Sequence, residues 1–178
     1  MQFLNYFLAS LISFFGLAIG IFLIMIAPEE QKPLGKYFIK LRKLLLLLIF
    51  VFVIFYYTGK SSGFSVPRKF LIFVGFKNPF YISLLLACFI SILFIEYKTN
   101  DFFKKIMMSY LVFGILFFLS FQNKNLFVLE SSLILLYGMP AASLIYNKKN
   151  HYKVISYNLF FVILANLLYI ITTSRFLF

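Results

Sequence analysis

Long apolar runs alternate with short polar intervals along this chain. The runs cover residues 3–26, 39–58, 79–97, 103–121, 126–146 and 153–174. A helix rises about 1.5 Å per residue, so about 20 apolar residues cross a hydrocarbon core of about 30 Å. Backbone polar groups must be paired in lipid, and runs of this length are too long for tilted barrel strands. The pattern predicts an all-α, polytopic transmembrane bundle of six spans, forming a single integral membrane domain over 1–178. The first run lacks a basic opening and exceeds a signal-peptide core, so it reads as a retained span.

The polar intervals predict the orientation. Those after spans one, three and five carry Lys32, Lys36, Lys40, Arg42, Lys43, Lys98, Lys104, Lys105, Lys148, Lys149 and Lys153. The opposite side receives Lys60, Arg68, Lys69, Lys77, Lys124 and Arg175. Basic residues concentrate on the cytoplasmic side, so eleven against six puts both termini outside and three short hairpin loops in the cytoplasm. The segment "APEEQKPLGKYFIKLRK" then reads as a collar. Pro28 and Pro33 stop helix growth, Gly35 permits a turn, and Lys40, Arg42 and Lys43 snorkel to the headgroups. The segments "KYFIKLRK", "DFFKKIMMSY" and "HYKVISY" share the aromatic and basic anchors of such loops without a strict repeat. Across the membrane, 59–78 is the longest loop, with Ser65 and Pro67 placed to start a short interfacial helix.

Composition agrees. The chain is 63% hydrophobic and 12% charged, with a mean hydropathy of +0.98. A soluble domain carries about 25% charged residues. The net charge of +12 lies in clusters beside apolar runs, which suits anionic lipid headgroups and not nucleic acid. The lone Cys88 can form neither an internal disulfide nor a thiolate metal cluster, and no cofactor or metal is expected. The expected location is the cytoplasmic membrane of a prokaryote, with the bilayer and other membrane proteins or further copies of the chain as partners.

Helices in lipid associate over small residues. Ala9, Ser13, Gly16 and Gly20 share one face of span one, and Ser83, Ala87 and Ser91 share one face of span three. Both are expected to be packing faces. Span two, "LLLLLIFVFVIFYY", has no small residue and is expected to face lipid. In span five, Pro140 frees the Leu136 carbonyl, Gly138 loosens the backbone, and Asn166 of span six offers an amide to that carbonyl. Gly138, Pro140 and Asn166 are therefore the candidate substrate-binding residues of a small permease for a neutral solute.

No ionisable residue is expected deep in a span, with Glu96 and Glu130 near span ends; this argues against an ion-coupled carrier. The candidate catalytic residues are Glu29, Glu30, Glu96, Asp101 and His151, which the topology brings to the cytoplasmic face. They would suit an enzyme acting on a lipid phosphate. HExxH, GxSxG and Asp-rich motifs are missing, which leans against an enzyme. The leading expectation is a non-enzymatic accessory, scaffold or sensor-like module acting through helix contacts.

Overall fold

A computed structural model describes residues 3–59, 79–121, 123–145 and 151–175 of the chain. The expected outer loop, with Ser65 and Pro67, lies outside the described residues. Every regular element among the described residues is helical: α1 (Phe3–Ile26), α2 (Gln31–Gly59), α3 (Pro79–Lys98), α4 (Phe102–Ser120), α5 (Lys124–Ile145), α6 (His151–Asn158) and α7 (Phe160–Arg175). Among the described residues four stretches are long and apolar enough to cross a membrane: α1, α4, α5, and Tyr152–Thr173 through α6 and α7. This is compatible with a multi-pass membrane protein.

Helix α6 continues into α7. The backbone bonds from Leu159 N to Ile155 O and from Ile163 N to Leu159 O carry across the join. Just before it, Asn158 Nδ2 donates to the Val154 carbonyl at 2.7 Å. An amide bonded back onto its own helix competes with the backbone ladder and marks such irregularities.

The start of α2 differs from expectation. Pro28 opens a single 3-10 turn, Pro28–Glu30, which feeds directly into α2 at Gln31. Pro33 does not stop this helix, and Gly35 makes no turn within it. Pro33 is its third residue, and the first turn of a helix has no use for the missing N–H. Gln31 also ties this corner to the bundle, donating from Nε2 to the Ser143 carbonyl of α5 at 2.8 Å.

Side-chain pairings fix the helix directions. Ser13 meets Ser131 and Gly16 meets Leu135, so α1 and α5 run parallel. Phe117 meets Phe127 and Phe113 meets Tyr137, so α4 opposes α5. Arg42 meets Glu96 and Phe50 meets Phe89, so α2 opposes α3. Tyr110 meets Phe161 and Phe121 meets Tyr169, so α7 follows α4. Phe3 lies 5.8 Å from Tyr169 between ring centroids, which sets the first residues of α1 and the end of α7 at one end of the bundle.

The core is aromatic. Tyr6 stands 5.2 Å from Phe117, 5.5 Å from Phe127 and 4.6 Å from Tyr169, while Phe117 also meets Phe161 at 5.6 Å. Helix α2 is not wholly lipid-facing as expected. Leu45, Leu46, Ile49, Phe50 and Val53 are buried at helical spacing, leaving Leu41, Leu44 and Leu47 outward. Its buried stripe lies against α5.

Candidate functional site

Helices α1 and α5 meet backbone to backbone. A side chain at Gly16 would strike the Leu135 carbonyl, with its carbon 2.7 Å and Cα 2.9 Å from the new Cβ. At Gly20 the obstacles are Met139 O at 2.6 Å and Ala142 Cβ at 2.7 Å. At Gly138 they are the Gly16 carbonyl carbon and Leu17 N, both at 2.5 Å. Ser13 Oγ is within hydrogen-bond reach of Ala9 O at 2.9 Å and Ser131 O at 3.1 Å, adding a polar tie to the seam. Ser13, Gly16 and Gly20 are buried and Ala9 is half-buried. On α3, by contrast, Ser83, Ala87 and Ser91 are exposed, and Leu85, Cys88 and Ile92 make the buried face. Small residues let backbones meet, but α3, which packs on α4, buries its other face and leaves the small stripe exposed.

The expected substrate-binding residues are not gathered into one site. Gly138 is in contact with the backbone of α1, and Pro140 is buried within a helix that continues through it. Asn166 does not bond to the carbonyl freed by Pro140. Its Nδ2 donates to Ser10 Oγ at 3.0 Å and to Val162 O at 2.7 Å, joining α7 to α1. Ser10 and Gly16 are six residues apart, which separates the two contacts by about 9 Å along α1 and turns them to different sides.

The expected catalytic acids whose side chains are described form no common group. Asp101 caps α4, accepting from Phe103 N at 2.9 Å. Glu29 is exposed in the 3-10 turn. The side chains of Glu30 and His151 lie outside the described residues. Among the described residues no three His, Cys, Asp or Glu side chains group as metal ligands.

Glu96 belongs to a different constellation. Arg42, expected to snorkel outward, is fully buried, and its NH2 nitrogen lies 2.6 Å from Glu96 Oε1. Lys105 Nζ lies 3.6 Å from Glu96 Oε2 and donates to the Glu96 carbonyl at 2.9 Å. Arg42 NH1 donates to the Tyr137 hydroxyl at 3.3 Å. On α4 the Ser109 hydroxyl donates back to the Lys105 carbonyl at 2.9 Å. The cluster ties together α2, α3, α4 and α5. Arg42 sits in register with Leu45, Leu46 and Ile49, so the helix turns it inward while Lys40 and Lys43 stay exposed. Burying this pair removes several kcal/mol of hydration per ion, which only close pairing and added hydrogen bonds offset.

Glu130 is the second departure. It was expected near a span end, yet it is fully buried in α5, and neither carboxyl oxygen has a hydrogen-bond partner among the described residues. Both residues keep near the ends of the expected spans 39–58 and 126–146, but their side chains are buried in the bundle instead of turning to headgroups or solvent. The readable signals were an arginine among lysines, the residue type suited to buried pairing, and an acid within an otherwise apolar run. No known protein family, curated protein or solved structure matches this chain.

Proposed function

We propose that this chain is a six-span protein of a prokaryotic cytoplasmic membrane, both termini outside, acting as an accessory, scaffold or sensor-like module through helix contacts. It is not proposed to be an enzyme. The observation that carries this reading is the occupied space beside Gly138, where the backbone of α1 stands in the place a solute would need. The residues on which chemistry would depend are engaged in holding helices together: Glu96 in the ion cluster, Asp101 in a cap, Asn166 in the tie to Ser10. The alternating helix directions and the gathering of Lys36, Lys40, Lys43, Lys98, Lys104 and Lys105 towards one end support the six-span topology.

The test pairs transport with association. Pro140→Ala and Asn166→Leu are expected to leave solute uptake by cells and vesicles at the wild-type level. A photo-crosslinking residue at Ala87, on the outward face of α3, is expected to capture another membrane protein or a second copy of the chain. Loss of uptake of a solute in either variant at normal protein level would establish the permease instead.

A further inference from the structure

Glu130 is the seventh residue of α5, about 9 Å along the axis from Lys124. Ring contacts bracket it. Phe127 meets Phe117 at 4.7 Å on one side, and Tyr137 meets Phe113 at 4.8 Å on the other. On its own helix its buried neighbours are Leu126, Phe127 and Ile134. Helix α1 brings no charge, and its Tyr6 donates its hydroxyl to the Ala165 carbonyl. Helix α2 brings Arg42, held by Glu96 and Tyr137, with Lys36, Lys40 and Lys43 further toward the basic end. Helix α4 brings Tyr110 at the level of Tyr137, and Lys104 and Lys105 beyond it. Tyr137 shares a helical face with Glu130 but stands two turns away, about 10 Å along the axis.

A bare carboxylate in such surroundings has neither a donor nor a counter-ion among the described residues. A metal cation would need several oxygen ligands, and the neighbours named here are rings and aliphatic chains. A proton needs none. We propose that Glu130 is a proton-binding site within the membrane. Buried in the bundle it is the neutral acid; loss of the proton to water leaves the carboxylate, and its return restores the acid. This rests on α5 crossing the bilayer and not on the non-enzymatic reading, and it gives the sensor-like role a ligand.

The test is infrared difference spectroscopy of the full chain in lipid nanodiscs, with hydrogen–deuterium exchange and carbon-13 glutamate. At neutral pH the wild type is expected to show the carbonyl stretch of a protonated carboxylic acid, shifted by the isotope and slow to exchange. Glu130→Gln, which matches the neutral acid in shape, is expected to lack that band and to melt at the wild-type temperature. Absence of the band from the wild type overturns the proposal. So does a band that persists in Glu130→Gln, or stabilisation of the wild type alone by sodium over choline. Where the Gln variant does not fold, the isotope-shifted wild-type band decides.

Discussion

Replacing Gly16 by Ala tests the α1–α5 seam at its tightest point. The added Cβ would lie 2.7 Å from the Leu135 carbonyl carbon and 2.9 Å from its Cα, besides striking the carbonyl oxygen. Carbon atoms settle at about 3.5–4.0 Å, so the two backbones must part by about 1 Å. A gap of that size forfeits about a quarter to a half of each dispersion contact along the seam. No side chain can swing away, because the obstacles are backbone atoms, so the steric cost belongs near the upper end of overpacking, about 3 kcal/mol. Better helix propensity returns about 1 kcal/mol, leaving a net loss of about 2 kcal/mol. Gly138→Ala should cost a similar amount. Because Gly16 and Gly138 face each other, the double variant should lose clearly less than the sum of the two. Gly35→Ala is the control: nothing lies within 4 Å of the new Cβ, so it should gain about 0.5–1 kcal/mol. The assay is reversible unfolding in mixed micelles followed by far-ultraviolet circular dichroism. Wild-type stability in Gly16→Ala would refute the close approach of α1 and α5.

The ion cluster predicts an asymmetry. Glu96→Leu leaves the Arg42 charge buried with only the Tyr137 hydroxyl, whereas Arg42→Met leaves Glu96 beside Lys105, so the first should cost about 3–5 kcal/mol and the second less in the same unfolding assay. Asp101→Ala removes the cap on α4 and should cost about 1 kcal/mol, with Asp101→Asn recovering most of it. Asn166→Leu should cost only about 0.6 kcal/mol, the average for a hydrogen bond between membrane helices, and Ser10→Ala should cost no further stability in that background.

The helical rods were legible because a period of apolar residues as long as a bilayer has few other meanings. Expected and observed boundaries agree within two residues at α1, α3, α4 and α5. The start of α2 was missed because proline and glycine look alike in a loop and in a first helical turn; only the 3-10 lead-in at Pro28 settles that Pro33 sits where no N–H is needed. Gly16 and Gly20 were legible as a close-approach face, but their opposite number, Gly138, was taken for a hinge. A glycine that admits a neighbouring backbone and one that frees its own leave the same letter in the sequence. The stripe on α3 shows the converse, since Ser83, Ala87 and Ser91 have the spacing of a contact face but lie outside the bundle. Arg42 and Glu130 escaped for a different reason. Where every neighbour is apolar, hydrophobic periodicity cannot say which side of a helix points inward, and only the packed partners decide.

The proposed topology has alternating rods crossing a bilayer with the basic end in the cytoplasm. The most direct measurement is labelling by a membrane-impermeant maleimide of a His151→Cys chain in which Cys88 is replaced by Ser. Labelling is expected only after the cells are permeabilised. Labelling of residue 151 in intact cells would contradict the topology, and with it the placement of the Arg42 cluster at the inner end and of Glu130 towards the outer one.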